Sequence, residues 1–416
     1  MADRQVDVAV VGAGPAGMAA AICAAEQGKR VVVLDESGRA GGQIWRHRET
    51  ATLPGSARRW LQRFEASGAA FLSGATVFDI VERAIRAEQN GAPLHVHAEN
   101  IVLCVGARER FLPFPGWTLP GVVGAGGGQA LLKQGMQVAG KRVVIAGSGP
   151  LLFPVAATFA KHGAVIQLVA EQVSQRQLLA FAAGLWHAPV KWLEAARYRA
   201  GFAGARFATG TWITRALGNE FVSEVEYTDG TSLRRLPCDL LCVGYGLVPA
   251  NELARLAGCA VDDSGRVTVD DFQQTTRPGI YCAGETTGVA GVDAALVEGR
   301  IAGYAAAGAV DRARGLLARR NAQRRFMRSL HEAFALRAEL RGLATAETVV
   351  CRCEDVRMEE LHEHASMRAA KLQTRAGMGP CQGRICGTAL QHMFGWGADT
   401  VRVPVAAVNA GTLAGE

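Results

Sequence analysis

Four cysteines near the carboxyl terminus have the spacing of a metal centre. Cys351 and Cys353 form a CxC pair, and Cys381 and Cys386 form a CxxxxC pair after a gap of 27 residues. Four thiolates that converge on one site repel one another unless a metal compensates their charge. Zinc and a [2Fe–2S] cluster both accept four cysteines, and the neighbouring glycines suit a cluster that accepts backbone N–H groups. Because structural zinc usually uses CxxC knuckles, the spacing favours [2Fe–2S], with zinc or free thiols as alternatives.

The other six cysteines lie singly among apolar residues, where a thiol behaves as a small buried hydrophobe. They are Cys23, Cys104, Cys238, Cys242, Cys259 and Cys282. The chain contains no CxxC, so the redox disulfide of the disulfide reductases is missing. The distribution also differs from the framework of a secreted, disulfide-rich protein.

A glycine-rich turn near the amino terminus could bind the pyrophosphate of a dinucleotide. The elements of a βαβ dinucleotide fold follow one another here. They are a strand at 6–11 (VDVAVV), the turn Gly12-Ala-Gly14-Pro-Ala-Gly17, a helix at 18–27, a second strand at 30–34 and the acids Asp35-Glu36. Gly12 allows the tight turn, Gly14 lets the backbone reach the pyrophosphate, and Gly17 lets the helix pack on the strand. The helix N-terminus offers unpaired N–H groups to the phosphates, and Asp35 or Glu36 can accept hydrogen bonds from a ribose. NAD or FAD would fit these features.

Three later segments resemble the FAD-binding motifs of thioredoxin-reductase-like flavoproteins. Residues 39–46 (RAGGQIWR) resemble the GGQ stretch after the second strand, and 101–108 (IVLCVGAR) resemble the strand that ends the first pass through the FAD domain. Residues 276–285 (TRPGIYCAGE) resemble the segment whose acid holds the ribityl chain, with Glu285 in place of the usual Asp. The resemblance implies FAD. The predicted cofactor-binding residues are Gly12, Gly14, Pro15, Ala16, Gly17, Asp35, Glu36, Gly42, Gln43, Arg46, Val77, Gly106, Ala107, Gly284 and Glu285.

A second βαβ unit is predicted further along the chain. It consists of a strand at 141–146, the turn Gly147-Ser-Gly149-Pro-Leu-Leu152, a helix at 153–162 and a strand at 165–169. Leu152 replaces the third glycine and would push the helix away from the phosphate position. Glu171 could bind a ribose and would repel a 2′-phosphate, which disfavours NADPH. A retained scaffold, a site for another adenine nucleotide and an NADH site remain open.

These motifs predict an α/β protein with two Rossmann-like domains, the second inserted in the first, and a small α+β iron–sulfur domain. The predicted domains are an FAD domain at 1–115 and 239–310, an inserted NAD(P)-binding-like domain at 116–238, an Arg-rich helical linker at 311–345 and an iron–sulfur domain at 346–416. The cysteine spacing resembles the [2Fe–2S] domain of bacterioferritin-associated ferredoxin. Residues 377–384 (GMGPCQGR) resemble the same domain attached to amino-acid-oxidising flavoproteins.

The three domains together resemble the alpha (A) subunits of heteromeric amine dehydrogenases, over nearly the whole chain. That group includes opine oxidases, D-hydroxyproline dehydrogenase, dye-linked L-proline dehydrogenase and the B subunit of hydrogen cyanide synthase. In such enzymes a glycine-oxidase-like beta subunit oxidises the substrate C–N bond with its own flavin, and some members add a small [2Fe–2S] gamma subunit. The resemblance implies an electron relay through FAD and [2Fe–2S] within a hetero-oligomer, with FMN at a subunit interface as a further candidate cofactor.

No residue presents itself as a catalytic base. His47, His162 and His187 each sit beside apolar or basic residues, and a lone histidine is more often structural than catalytic. Two other functions compete with the relay: a self-sufficient NADH-dependent ferredoxin-type reductase, and a non-enzymatic scaffold that binds FAD for structure. The amine and the terminal electron acceptor stay open, because the selecting pocket is expected on another polypeptide.

The net charge of +7 is unevenly spread. From 311 to 341 nine arginines stand against Asp311, Glu332 and Glu339, a local charge of +6. Interspersed apolar residues predict an amphipathic helix whose arginines face solvent or a protein partner, and no nucleic-acid-binding signature accompanies them. The uncharged run 8–25 is interrupted by glycines and follows no basic segment, so it predicts a buried strand and helix in a cytoplasmic protein. Peripheral association with the inner membrane is the alternative.

Overall fold

The computed structural model describes residues 2–47, 49–50, 53–184, 189–397 and 400–414. His187, one of the three histidines considered above, lies outside these residues. Within the described ranges, no helix has both the length and the apolar character needed to cross a bilayer.

The β-strands are numbered in chain order. They are β1 (Ala2–Val11), β2 (Val31–Asp35), β3 (Ala70–Ser73), β4 (Ala75–Val81), β5 (Ala84–Gln89), β6 (Ala92–Leu103), β7 (Ala107–Glu109), β8 (Val122–Gly124), β9 (Arg142–Gly147), β10 (Val165–Glu171), β11 (Arg206–Thr209), β12 (Trp212–Leu217), β13 (Glu224–Thr228), β14 (Leu233–Pro237), β15 (Leu240–Gly244), β16 (Leu247–Pro249), β17 (Ile280–Cys282), β18 (Val349–Cys351) and β19 (Val356–Arg357).

The α-helices are numbered in the same way. They are α1 (Pro15–Ala25), α2 (Gly55–Ala66), α3 (Ala125–Lys133), α4 (Leu152–Lys161), α5 (Gln175–Gly184), α6 (Pro189–Ala200), α7 (Glu252–Leu256), α8 (Gly291–Ala306), α9 (Val310–Arg314), α10 (Leu317–Ala333), α11 (Met367–Thr374), α12 (Cys386–Phe394) and α13 (Ala410–Ala414). Two 3₁₀ turns are Gly284–Thr287 and Ala338–Gly342.

The chain divides into two compact units. Unit 1 comprises Met1–Arg108, Val248–Met327 and Thr400–Glu416, and unit 2 comprises Glu109–Leu247 and Arg328–Asp399. The chain therefore re-enters unit 1 at Val248 rather than near Asp239. The carboxyl-terminal residues also belong to unit 1, because Thr412 donates to Glu88 (2.6 Å) and Val405 packs in the same apolar cluster as β4 to β6. The Arg-rich segment is shared between the units.

Unit 1 is built on a sheet of order β3-β2-β1-β6-β5-β4, with β17 also paired to β6. β1, β2, β3, β6 and β17 are parallel, and β4 and β5 form an antiparallel extension. The parallel strands are apolar and buried at 8–11, 31–34 and 101–103, because both faces of the sheet are covered there. Helices α1 and α8 pack closely: a Cβ on Gly299 or Gly303 would lie 2.1 or 2.2 Å from a carbonyl oxygen of α1.

Unit 2 contains a parallel sheet of order β11-β10-β9-β15-β8 and an antiparallel sheet of β12, β13 and β14. Strand β15 pairs with β8 and β9, with Val243 opposite Ala146. The run 239–246 (DLLCVGYG) therefore completes the second sheet, whereas the sequence pattern placed it in the first fold. An apolar strand followed by glycine suits either sheet, so its pattern alone does not select the neighbour.

The helix α10 carries two arginines that bond to acceptors within unit 1. Arg320 is 3% exposed and donates to the carbonyl of Asp271 (2.6 Å) and to its carboxylate (2.7 Å). Arg324 donates to Glu298 at 2.9 Å. The expectation that the arginines face solvent or a partner is therefore wrong for Arg320, because acceptors within unit 1 compensate its desolvation, whereas the Arg324 side chain stays 33% exposed.

Candidate functional site

The first glycine turn is closed so tightly that only glycine fits at two of its positions. Gly12 has φ +100°, and a Cβ there would lie 2.3 Å from the carbonyl oxygen of Cys104. A Cβ on Gly17 would lie 1.8 Å from the carbonyl oxygen of Gly12. These contacts hold the start of α1 against the carboxyl ends of β1 and β6, where dinucleotides bind in this fold.

Gly14 is different, because its missing side chain leaves space. The nearest atom to a Cβ on Gly14 would be the Cα of Gly42, at 3.9 Å. The GGQ loop closes this side of the turn, since Gly41 donates its N–H to the carbonyl of Ala13 (2.8 Å). No side chain caps the start of α1, and Pro15 occupies its first turn. The result is a cradle of backbone with N–H groups directed outward, which suits a pyrophosphate.

Asp35 lies beside this turn at the end of β2. Its carboxylate accepts hydrogen bonds from the N–H groups of Ala13 (2.6 Å) and Ser37 (2.7 Å). Each carboxylate oxygen can accept a further bond, so Asp35 is tied to the turn and can still receive ribose hydroxyls. Glu36 is exposed at the following position.

The motif at 276–285 also lies beside the first glycine turn. A Cβ on Gly284 (φ +78°) would lie 2.8 Å from the Cβ of Ala16 at the start of α1. The N–H of Gly106 donates to the hydroxyl of the fully buried Thr286 (3.0 Å). Burial raises the pKa of Glu285, and its carboxylate accepts no hydrogen bond from the described part of the chain. The three distant FAD motifs thus meet at one place in unit 1.

Glu298 organises this loop, and its role does not follow from any sequence motif described above. Its carboxylate is 3% exposed and accepts from the N–H of Gly284 (3.1 Å), the hydroxyl of Thr287 (2.7 Å) and Arg324 (2.9 Å). Arg324 also donates to Gln273 at 2.9 Å. A signal was available, since Glu298 is an acid within the apolar stretch of α8 that follows Asp293, and the Arg-rich segment comes after it in the sequence.

Among the described residues, the structure shows no contact of Gln43, Arg46, Ala107 or Val77 that points to a role in cofactor binding. Gln43 is exposed, while Arg46 and Ala107 are half-buried. Val77 is buried in the apolar cluster between β4 and β6, and it pairs with Ala87 in the ladder of β4 and β5. Of the three histidines considered above, neither of the two that are described is placed as a catalytic base: His47 Nδ1 contacts the carbonyl of Trp45, and His162 Nδ1, just after α4, contacts the carbonyl of Thr158.

The four carboxyl-terminal cysteines come together in unit 2 as two pairs. Cys386 donates to the thiolate of Cys351, and backbone N–H groups including that of Gly377 (3.5 Å) also point at this sulfur. These hydrogen bonds lower the pKa of Cys351 to about 5. The second pair is Cys353 with Cys381, within hydrogen-bonding reach of each other, and Cys353 is exposed. In the residues that the structure describes, no three acidic, histidine or cysteine side chains are arranged to hold a single metal ion.

Glycines allow the approach of the cysteine loops. A Cβ on Gly379 would lie 2.2 Å from the Cβ of Cys353. Gly377 and Gly383 have positive φ, and their backbones pack against each other near Cys386. The donor set, with N–H groups directed at sulfur, fits a cluster that two pairs of thiolates would hold.

Comparison with known proteins places the chain in a family. Residues 6–309 match the family model described as pyridine nucleotide-disulphide oxidoreductase. The chain belongs to this family. It is 33% identical to the A subunit of opine oxidase from Agrobacterium tumefaciens (strain Ach5), covering 93% of this chain and 85% of that protein. It is 31% identical to the HcnB subunit of hydrogen cyanide synthase from Pseudomonas aeruginosa, covering 91% and 90%.

The predicted resemblance to the A subunits of this group is confirmed by these relatives. A solved structure of L-proline dehydrogenase from P. horikoshii superposes with a TM-score of 0.69 at 19% identity, over 99% of this chain and 80% of that one. That likeness shows the fold. The α/β class with dinucleotide-binding domains and the assignment as an FAD-dependent oxidoreductase are confirmed. FAD fits the cradle at Gly14, where a Cβ would fill the space that the backbone leaves open.

The second dinucleotide fold of this family member differs from the first at its turn. Helix α1 begins at Pro15, directly after the second glycine, whereas α4 begins at Leu152, two residues later in the equivalent motif. Leu152 is buried. The carboxylate of Glu171 accepts from the N–H groups of Gly149 (2.8 Å) and Val173 (3.0 Å), and burial raises its pKa to about 7. Glu171 therefore stabilises the second glycine turn through a buried hydrogen bond to Gly149.

Proposed function

We propose that this chain is the electron-transferring flavoprotein component of a heteromeric dehydrogenase or oxidase. A partner polypeptide with its own flavin oxidises an amino acid or secondary amine of the D-hydroxyproline, proline or opine type. Electrons then pass through the FAD and the [2Fe–2S] cluster of this chain to a dye or a respiratory acceptor. The names of the relatives, which are the A and B components of an oxidase and a synthase, support a hetero-oligomer.

The observation that carries this proposal is the arrangement of the cysteines. Four cysteines form two pairs beside backbone N–H donors, while the chain has no CxxC that could act as a redox disulfide. A two-iron cluster takes two thiolates on each iron, so Cys351, Cys353, Cys381 and Cys386 suit it better than they suit one zinc ion. A flavin and a one-electron centre in one chain favour electron transfer.

The residues of unit 1 would hold FAD without taking part in amine chemistry. When bound, FAD accepts two electrons and releases them one at a time. The outward N–H groups at the start of α1 bind its pyrophosphate, Asp35 accepts the ribose hydroxyls, and Glu285 accepts from the ribityl chain. An FMN at a subunit interface and a small [2Fe–2S] gamma subunit remain part of the proposal.

Co-expression with a glycine-oxidase-like partner tests the relay. We expect the two chains to co-purify and to reduce an artificial dye with a secondary amine, while this chain alone reduces no dye with any amine. In the complex, replacement of Cys353 by Ser should slow dye reduction and leave reduction of the partner's flavin by the amine unchanged. Full amine-to-dye activity of this chain alone would overturn the proposal.

A further inference from the structure

The nucleotide cleft of the second dinucleotide fold is covered by a segment of the same chain. In a βαβ fold the adenosine end of a dinucleotide lies between the glycine turn after the first strand and the residues that end the second strand. Here these positions are Ser148, in the turn after β9, and Gln172, directly after β10. Both are buried, at 8% and 2% exposure.

The covering segment is 334–337, which follows α10 in unit 2 and is called the strap below. Ser148 donates its hydroxyl to the carbonyl of Phe334 at 2.9 Å. Gln172 donates to the carbonyl of Ala335 (3.0 Å) and to the Ser148 hydroxyl (2.9 Å). It also accepts from the N–H of Arg337 at 3.1 Å. A glutamine amide has two N–H donors and one oxygen, so all three groups of Gln172 are engaged with the strap or the turn.

Side chains of the strap reinforce these backbone bonds. The guanidinium of Arg337 lies 3.8 Å from the ring centroid of Trp212 and donates to Glu339 at 3.0 Å. The ring of Phe334 contacts that of Phe181 on α5. Leu340, just beyond the strap, is 1% exposed in the main apolar cluster of unit 2. A nucleotide would therefore have to displace buried hydrogen bonds, a cation–π contact and apolar packing together.

We propose that the strap permanently occupies the adenosine end of this cleft, so that the second dinucleotide fold binds neither NADH nor another adenine nucleotide. The strap thus determines specificity, because it denies nicotinamide dinucleotides a binding site and leaves reduction of the FAD to another donor. Three features of the fold act together here: the later start of α4, the burial of Glu171, which is 3% exposed whereas Asp35 is half-buried, and the strap across Ser148 and Gln172. The inference goes beyond the proposed relay and does not depend on any amine or partner.

The test uses the FAD-loaded full chain alone, under anaerobic conditions, with NADH and ADP as probes. We expect no bleaching of the flavin by NADH and no saturable binding of ADP in calorimetry up to about 1 mM. In hydrogen exchange the amide of Arg337 should be protected, with protection unchanged by ADP. Saturable binding of either nucleotide at any concentration up to about 1 mM would overturn the proposal.

A variant that weakens the hydrogen bonds of the strap provides a second test. Gln172→Ala removes the bonds to Ala335 and Arg337, and should speed exchange of the Arg337 amide about tenfold while saturable ADP binding appears at about 0.1 mM or tighter. Gln177→Ala is the matched control, because the side chain of Gln177 bonds to Ser174 and not to the strap, so both readouts should stay unchanged. Equal exchange rates in the wild type and in Gln172→Ala would overturn the role given to Gln172. Since no partner enters the experiment, its outcome leaves the relay to be judged separately.

Discussion

At the scale of single residues, Gly14 and Gly17 of the first glycine turn have different roles, one in cofactor binding and the other in packing. A side chain at Gly17 collides with backbone at 1.8 Å, whereas one at Gly14 meets nothing closer than 3.9 Å. We therefore expect Gly14→Ala to fold normally and to lose bound FAD, because its methyl group fills the space for the pyrophosphate. Gly17→Ala should instead reduce the yield of folded protein. Flavin absorbance per chain and circular dichroism, measured on both variants, check this.

The control for this prediction is Gly38→Ala. Nothing lies within 4 Å of a Cβ at Gly38, and the residue follows the acids at the end of β2. This variant should keep both fold and flavin. If Gly14→Ala retained a full complement of FAD, the first glycine turn would not be the pyrophosphate site.

Glu171 makes the stability of unit 2 depend on pH. The pKa of Glu171 is about 7 in the folded chain and 4.5, the ordinary value for glutamate, in the unfolded chain. The folded form therefore binds the proton more tightly. Below pH 4.5 both states are protonated, and Glu171 does not destabilise the folded form. As the pH rises to about 7 the unfolded chain ionises first, and the free energy of unfolding falls by up to about 3 kcal/mol.

Urea denaturation followed by tryptophan fluorescence, at about pH 5 to 7.5, measures this dependence. Glu171→Gln should flatten the profile in that window, because the amide carries no titrating proton. Glu220→Gln, at an exposed position of unit 2, should leave the profile as in the wild type. A wild-type profile that rises with pH would contradict the assignment.

At the scale of elements, α10 bonds to unit 1 through specific arginines as well as through the apolar contact of Leu317. Arg320 is its only buried residue among those described, and its guanidinium bonds to Asp271 and Asn321. Charge-assisted hydrogen bonds of this kind contribute more than exposed ion pairs. The local charge of +6 in the sequence is therefore partly structural.

Replacing Arg320 by Met should lower the free energy of unfolding of unit 1 by about 2 kcal/mol, since buried bonds to a charged group are lost. Arg319→Met removes the same charge at an exposed neighbouring position and should change stability by less than about 0.5 kcal/mol. Thermal and urea midpoints of the two variants provide the comparison. Equal effects would mean that the helix is held by net charge alone.

At the scale of the whole molecule, the chain should store more electrons than a flavin alone. With one FAD and one [2Fe–2S] cluster, a dithionite titration should consume about three electron equivalents per chain. Cys353→Ser and Cys381→Ser should each abolish the paramagnetic signal of the reduced cluster and lower the count to about two, with FAD retained.

Cys259→Ser is the matched control for the cysteine variants. Cys259 is a buried thiol in unit 1, bonded to Thr275, with no part in the cysteine pairs. It should leave iron content, sulfide content and the electron count unchanged. A purified wild-type chain with zinc and no iron, after anaerobic preparation, would contradict the cluster.

The sequence alone determined those features that depend on short spacing. The glycine turn at Gly12, the acid Asp35 and the paired cysteine motifs are local patterns, and their chemistry follows from residue type and separation. The likeness to a family of FAD-dependent oxidoreductases could be reached in the same way. The order of strand, glycine turn, helix and strand also indicated two dinucleotide-binding folds, because each βαβ unit is contiguous in the sequence.

Only the tertiary structure decided which groups meet across long separations. In the structure β15 belongs to the second sheet, and Arg320 pairs with Asp271. Glu171 bonds to its own glycine turn, and the strap covers Ser148 and Gln172. A pattern of apolar and polar residues records whether a position is buried but not what buries it, so several partners satisfy the same pattern. The choice among them depends on packing and hydrogen-bond geometry that arise only when the chain is folded.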